Sequence, residues 1–236
     1  MRLALLGTFL FLLAVSAQAE RGVRVVIGSI GSATSDSFHD PDASTPSVQI
    51  ARELMNRLGY RQPIELVPFA RAVNETQRSD NIVMIPLART PRRENKYQWL
   101  NLLWEDDCVL VRAADKGNTD ISKIGVVRAS ATEEVAEILG LANVELSTDD
   151  IQNALKLASG RIDAWFSVRH RAEGAIRAAG MDPEQFVFSS SLKRISIYVA
   201  ASLRLDPAEA ARWTAAANDI HSDGTLTSIL AGGGVY

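Results

Sequence analysis

The sequence predicts an α/β protein of two lobes, each a mostly parallel sheet flanked by helices, with a ligand cleft between them. Apolar runs typical of strands alternate along the chain with segments whose apolar residues recur at helical spacing. The alternation forms two successive βαβ units of about 90 residues each, and no flexible linker flanks either unit, which favours two packed lobes. Small ligands usually bind in such clefts.

The elements of the first unit follow from apolar spacing and from stop signals. A helix carries Val48, Leu54 and Leu58 on one face, and Gly59 ends it. The predicted elements are a strand at 23–27, a helix at 48–58, a strand at 64–67, a helix at 70–78 and a strand at 82–85.

The second unit starts with an apolar strand at 108–111. Further strands are predicted at 124–127, 144–146, 162–166 and 195–200, and helices after Ser130 and Thr148. Ser130 and Glu133 match a capping box. The helix after Thr148 is expected to bury a stripe made of Ile151, Ala154, Leu155 and Ala158. A last helix begins with Asp206 as N-cap and Pro207 at its first position, and buries Ala210, Trp213, Ala217 and Ile220.

Composition excludes a disordered chain and a general nucleic-acid binder. The 236 residues are 47% hydrophobic and carry 25 Lys plus Arg against 28 Asp plus Glu, a net charge of -3. A chain so close to neutral has no global field for nucleic acid. The single cysteine, Cys108, lies in an apolar run, so we expect a buried strand thiol and no disulfide within the chain.

The first 19 residues predict a secretory signal peptide. Arg2 precedes an apolar run over residues 3–15, and Ala17 and Ala19 form a small-residue cleavage site. The alternative is an anchoring helix, but the run is shorter than the about 20 residues that span a bilayer. Export to the periplasm is therefore expected.

Four motifs resemble the amino-acid-type periplasmic solute-binding proteins of ABC transporters, often called family 3. Thr90-Pro91-Arg92-Arg93 resembles the T-P-x-R signature of that family, and residues 125–132, 160–166 and 223–226 resemble its other motifs. The form of the first motif is similar to a branch often found away from transporter genes.

The resemblance implies a monomeric binding protein whose lobes close on a small solute by hinge motion. Lobe 1 is expected to comprise residues 20–105 and 196–236, and lobe 2 residues 106–195. The implied partners are a small polar or anionic solute and either an inner-membrane ABC permease or a sensor. No cofactor, metal or nucleic acid is expected.

The resemblance also implies the binding residues Arg93 and Ser130. Arg93 matches the arginine that binds the ligand carboxylate, for which a planar guanidinium is suited, and Arg89 is a second candidate. A solvated or ion-paired surface role is the alternative for either arginine. Ser130 matches a hydroxyl at the start of a lobe 2 helix, where free N–H groups favour an anion, and a plain N-cap is its alternative.

Three aromatic side chains are candidates for ligand contact: Phe69, Trp104 and Trp165. Large rings near the cleft can stack on a ligand, although core packing is the commoner role of tryptophan.

The sequence departs from the family in two places. Family members that bind amino acids usually carry an aspartate just after the fourth strand of lobe 2, but this chain has Ser167 and Val168 there, followed by Arg169-His170-Arg171. The aromatic-proline segment after strand 1 is also replaced. A ligand ammonium therefore lacks its counter-charge, and we expect a small anionic or polar ligand rather than a zwitterionic amino acid.

Catalysis is the alternative to binding. Cyclohexadienyl dehydratases use this fold as lyases, and such chemistry needs a general acid, for which Glu105 or Asp106 is the nearest carboxylate. His39, His170 and His221 lie far apart in the sequence and predict no metal site, and a chance metal site at residues 39–42 is weaker than a solvated loop.

Overall fold

The computed structural model describes residues 22–29, 45–116 and 120–232. The predicted signal peptide, residues 39–42 and the glycines beyond residue 232 lie outside these ranges. Within the described ranges, none of the helices combines the length and the apolar character that crossing a membrane requires.

The elements follow the predicted order. The strands are β1 Arg24–Ser29, β2 Ile64–Pro68, β3 Ile82–Arg89, β4 Tyr97–Ala113, β5 Ile124–Val127, β6 Val144–Ser147, β7 Ala164–Val168, β8 Phe186–Phe188 and β9 Lys193–Ser202. The helices are α1 Pro46–Leu58, α2 Phe69–Arg78, α3 Ala131–Ile138, α4 Asp150–Ala158, α5 Arg169–Ala178, α6 Pro207–Ser222 and α7 Thr225–Gly232.

The strands form a sheet of order β2-β1-β3-β9-β4-β7-β5-β6, with β8 also paired to β4. β1 lies parallel to β2 and β3, and β5 lies parallel to β6 and β7. Between these parallel groups, β4 and β9 run antiparallel, with pairs from Tyr97 opposite Ser202 to Cys108 opposite Lys193. We call β1–β3 with α1, α2, α6 and α7 the first half, and β5–β8 with α3–α5 the second half. The predicted α/β class with parallel sheets is confirmed.

The long antiparallel pair was only partly predicted. The sequence marks a strand at 108–111, whereas β4 begins at Tyr97 and runs through the polar residues Glu105, Asp106 and Asp107. These polar side chains interrupt the apolar run that identifies a strand. The expected lobe boundary between residues 105 and 106 falls inside β4, and the lobe limits stay a prediction.

Each half has its own buried core. In the first half, α1, α6 and α7 pack on one face of the sheet around Trp213, and α2 packs on the other face around Met84. In the second half, α3 covers one face with Phe166, and α4 and α5 cover the other with Trp165. Cys108 is fully buried, as predicted.

Helix ends largely match the sequence signals. Gly59 adopts φ 78 at the end of α1, a conformation that glycine reaches without steric cost. Asp206 caps α6 by accepting from the N–H groups of Ala208 and Glu209, and the predicted apolar face of α6 is buried. These predictions are confirmed.

The predicted stripe on α4 is wrong by part of a turn. Leu155 is 50% exposed and Ala158 is also exposed, whereas Asn153, Ala154 and Leu157 are buried. The cap is Asp149 rather than the preceding threonine, because its carboxylate accepts the N–H of Gln152. A helix with several apolar residues can bury more than one of its faces, so the spacing alone does not identify the buried face. Here the amide side chain of Asn153 lies in the core.

Two helices were not predicted. The buried positions of α5 are Ala172, Ala175 and Ile176, set among charged residues, so its apolar signal is weak. α7 follows directly on Gly224, which has φ 81, and its short length hides its period.

Candidate functional site

The carboxyl ends of the parallel strands of both halves meet at one place. Arg92 and Arg93 follow β3 in the first half, and Ala129 and Ser130 follow β5 in the second. The backbone N–H of Arg92 donates to Glu134 of α3 at 2.7 Å, so these two edges are in contact. Ligands of open α/β sheets bind outside the carboxyl ends of the strands, and this meeting point is the candidate ligand cleft.

Arg93 is buried, with 8% of its surface exposed. Its guanidinium donates to the carbonyl oxygens of Ala88 at 3.1 Å and Ala129 at 3.5 Å, and it lies 5.4 Å from the ring centroid of Phe69. Within the described ranges, no carboxylate forms an ion pair with it. Burial lowers the pKa of Arg93, while Glu134 favours the charged form. Among the described residues, the site thus holds a desolvated cation that no carboxylate contacts directly, although Glu134 lies near enough to act on it electrostatically.

Thr90, in the same turn as Arg93, has a hydroxyl without a partner among the described residues. Its side chain is 4% exposed, and its Oγ1 has no hydrogen-bond partner among the described residues. The N–H of Arg93 donates to the Thr90 carbonyl at 2.9 Å, so one tight turn carries both groups. Buried polar atoms are nearly always paired, and an unpaired hydroxyl and a buried guanidinium carried by one turn fit an anion held by both.

Ser130 caps α3 and is already bonded. Its Oγ donates to the Val127 carbonyl at 2.6 Å, accepts from the Glu133 N–H at 3.2 Å and lies 2.7 Å from the hydroxyl oxygen of Thr132. The Glu133 carboxylate accepts a hydrogen bond from the N–H of Ala129, one residue before the cap. The capping role is thereby present, and direct ligand contact by Ser130 stays a prediction.

Two special backbone positions line this edge. Ala129 has φ 56, a conformation uncommon for residues other than glycine. Gly28 lies close to Phe69, because a Cβ added to Gly28 would lie 2.7 Å from the Phe69 ring. The partly buried ring of Phe69 therefore fits against bare backbone and beside Arg93, and its contact with a ligand stays a prediction.

Arg89 has other partners. It forms an ion pair with Glu94, and its guanidinium lies 5.5 Å from the ring centroid of Trp99 and 5.3 Å from that of Tyr198. The hydrogen bond that Arg89 donates to the Glu94 carboxylate raises the pKa of Arg89. With 37% of its side chain exposed, Arg89 is ion-paired at the surface, as its alternative role describes, and its contact with a ligand stays a prediction.

The two tryptophans differ. Trp165 has no exposed surface and packs between the sheet and α4 and α5, so a ligand contact would require this core to open. The sequence could not reveal this because strand burial depends on both flanking helices. Trp104 is partly buried, packs against cores of both halves and has an indole Nε1 without a hydrogen-bond partner among the described residues. It lies edge-on to His170, with 6.3 Å between the ring centroids.

His170 and Asp106 form a pair at the same edge, through His170 Nδ1 and Asp106 Oδ2. Their side chains are 21% and 12% exposed. Burial, followed by the charge of Arg171, lowers the pKa of His170 to about 4, although the Asp106 carboxylate by itself favours the imidazolium. From the sequence, Asp106 was predicted only as a possible general acid, and its contact with His170 was not predicted.

Contacts between the halves involve α3. Besides the bond from the Arg92 N–H to Glu134, the Arg92 guanidinium pairs with Glu137. Glu134 is 5% exposed. In the part of the chain that the structure describes, no cluster of three or more His, Cys, Asp or Glu side chains could hold a metal ion.

No protein-family model and no curated protein matches the sequence. Solved structures do match its fold. A substrate-binding protein of an ABC uptake transporter from Streptococcus pneumoniae, with bound histidine, has a TM-score of 0.74 at 15% identity over 90% of this chain and 92% of its own. A histidine kinase sensor domain similar to periplasmic binding proteins has a TM-score of 0.73 at 14% identity over 89% and 94%.

A third structure is an ancestral amino acid-binding protein described as a precursor of cyclohexadienyl dehydratase. Its TM-score is 0.70 at 17% identity, covering 90% of this chain and 95% of the other. At such identities the likeness concerns the fold alone. The resemblance drawn from the sequence is confirmed at that level: the chain has the two-lobed α/β fold of amino-acid-type periplasmic binding proteins.

Proposed function

We propose that the protein is an exported solute-binding protein that captures a small polar or anionic ligand in the cleft between its lobes, for ABC-type uptake or for ligand sensing. One observation carries the proposal: the buried guanidinium of Arg93 has no carboxylate in ion-pair contact among the described residues, and the same turn carries the unpaired hydroxyl of Thr90. A ligand carboxylate satisfies both groups at once.

The solved structures of similar fold support this function in general terms. They include a substrate-binding protein of an uptake transporter and a sensor domain of a histidine kinase. These correspond to the two roles proposed here, uptake and sensing. The order of the neighbouring genes tests which role applies. Adjacent genes for a permease and an ATPase would indicate uptake, and an adjacent gene for a sensor kinase would indicate sensing.

Binding is tested first by native mass spectrometry of gently purified protein, which reveals any co-purified ligand. Calorimetry with that ligand, or with a panel of small carboxylates, then compares the wild type with Arg93→Ala. We expect Arg93→Ala to weaken binding by about 30-fold or more, because truncating one partner of a buried charge pair costs about 2 kcal/mol or more.

Arg177→Ala is the matched control, since Arg177 is exposed on α5 and pairs with Glu173 of the same helix at 3.6 Å. It should bind like the wild type. If Arg93→Ala binds the ligand with the same affinity as the wild type, Arg93 does not contact the ligand and the proposed site is wrong.

A lyase on the same fold is the second candidate. The observation that favours it is the Asp106–His170 pair at the cleft edge, since paired carboxylate and imidazole groups can serve in proton transfer. Glu105, the other carboxylate considered, is 49% exposed and faces Arg194. Incubation of the protein with prephenate or arogenate tests this function, and absence of turnover excludes it for these substrates.

A further inference from the structure

A second polar group lies at the same cleft edge as Arg93, and it combines a side chain of β4 with one from the first turn of α5. β4 pairs with β7 so that Cys108 lies opposite Val168. Two residues further along this antiparallel register, Asp106 lies opposite His170, in the first turn of α5. Since β7 and β5 are parallel neighbours, His170 lies at the carboxyl edge that also carries Ser130.

The contact between Asp106 and His170 determines which ring nitrogen of His170 carries the proton. A carboxylate only accepts hydrogen bonds, so Nδ1 of a neutral imidazole carries the proton and Nε2 is left as an acceptor. Among the described residues, Nε2 has no hydrogen-bond partner, and 21% of the side chain is exposed. A half-satisfied, oriented imidazole at the cleft edge is therefore available to a ligand.

The charges around His170 favour a neutral donor over a cation. Arg171 pairs with Asp150, and Arg169 donates to the Ser189 carbonyl at 2.8 Å. Arg171 adds positive potential at the imidazole, and the Asp106 carboxylate, which opposes that potential, already accepts from Nδ1. A ligand ammonium meets that potential, whereas a hydroxyl group can donate to Nε2 without bringing a charge.

We propose that the ligand is a hydroxy-substituted carboxylate, with its carboxylate on Arg93 and Thr90 and its hydroxyl donating to Nε2 of His170. Asp106 is the positioning residue that holds the ring in this tautomer. The proposal rests on the proposed binding function and adds the chemical class of the ligand.

Calorimetry with matched trios tests the class. The trios are lactate, propionate and alanine; malate, succinate and aspartate; and 2-hydroxyglutarate, glutarate and glutamate, which differ within each trio only by hydroxyl, hydrogen or ammonium. In the trio that fits the cleft best, we expect the hydroxy member to bind at least tenfold more tightly than the other two. His170→Ala should remove this preference but retain binding of the unsubstituted carboxylate.

Asp106→Asn tests the positioning role against its neighbour Asp107→Asn, whose wild-type side chain accepts from Ser191 on the other face of β4. Nitrogen-15 NMR of His170 should show the Nδ1–H tautomer in the wild type and in Asp107→Asn. In Asp106→Asn the amide can donate to Nδ1, so the tautomer shifts towards Nε2–H and the preference for the hydroxy member falls. Thermal unfolding checks that each variant is folded.

The possible results separate the two proposals. If every trio member binds wild type and Arg93→Ala alike, or none binds at millimolar concentration, the carboxylate site itself is refuted. If carboxylates bind through Arg93 but the unsubstituted or amino member is preferred, or if His170→Ala keeps the hydroxy preference, only the hydroxy-acid assignment is overturned.

Discussion

At the scale of single residues, the turn from Thr90 to Arg93 concentrates the unusual chemistry of the molecule. A buried guanidinium without a carboxylate is costly, since charges prefer water unless they are paired. Here the partners among the described residues are carbonyl oxygens of Ala88 and Ala129 and the face of Phe69. The free protein therefore retains a cost that an anionic ligand removes.

Replacing this cation should separate stability from binding. We expect Arg93→Met to leave the free energy of unfolding of the ligand-free protein unchanged or higher, because an apolar chain of similar length avoids the desolvation of the charge. Thermal unfolding without ligand measures the effect. Arg24→Met, which breaks the pairs of Arg24 with Glu65 and Glu75, should instead lower the melting temperature. A large loss of stability in Arg93→Met contradicts the uncompensated cost of burying this charge in the free protein.

The cysteine gives a second test at this scale. Burial raises the pKa of Cys108 to about 12, so at pH 8 the folded protein holds almost no thiolate, whereas an unfolded thiol with a pKa of about 8.5 is partly ionised. Ellman's reagent at pH 8 should therefore label the protein only after denaturant is added. Rapid labelling of the native protein contradicts the buried position.

Sequence reasoning found some of these residues and missed others for a physical reason. Arg93 and Cys108 were predicted because local patterns mark them, a motif in one case and an apolar run in the other. The pair of Asp106 and His170 depends on the register between β4 and β7, which no local pattern contains. The unpaired hydroxyl of Thr90 likewise depends on what surrounds it.

At the scale of elements, α4 shows how a helical period can predict an element and misplace its face. Existence and extent of the helix followed from apolar spacing, but the stripe through Leu155 points outward, and Leu157 belongs to the core. The rotation follows from packing against α5 and the sheet. Strand β4 shows the converse, since pairing with β9 extends it through polar residues that lack an apolar signal.

Two alanine variants of α4 distinguish the two faces. Leu157→Ala should lower the free energy of unfolding by about 2 to 5 kcal/mol, as is typical for a buried leucine. Leu155→Ala should change it by less than about 0.5 kcal/mol, as for surface positions. Urea unfolding measures both, and equal losses contradict the observed orientation of the helix.

At the scale of the whole molecule, the two halves are joined by β4 and β9 and also touch across the cleft edges. Glu134 is the central contact, because its buried carboxylate accepts the Arg92 N–H at 2.7 Å and lies near Arg93. The two-lobed fold was predictable from the order of strands and helices. This bond was not, since it joins α3 to a turn about 40 residues earlier in the chain.

Removing that carboxylate should favour a more open molecule. We expect Glu134→Ala to have a larger radius of gyration in small-angle scattering than the wild type, since the Arg92 N–H loses its acceptor. Glu145→Ala serves as control, because Glu145 pairs with Lys156 at 2.8 Å within the second half. Identical scattering of Glu134→Ala and wild type contradicts a role of this contact in holding the edges together.

The position of α7 has a practical consequence for building a fluorescent reporter. α7 packs on α1 and α6, so the last described helix and β1 belong to the same half. Fluorophores attached near both of these elements keep a constant separation, whatever the second half does. A reporter of ligand capture therefore needs one fluorophore after α7 and the other in the exposed turn at residues 140–143, which connects α3 to β6. The energy transfer between them then tests whether the two halves move together when the proposed ligand binds.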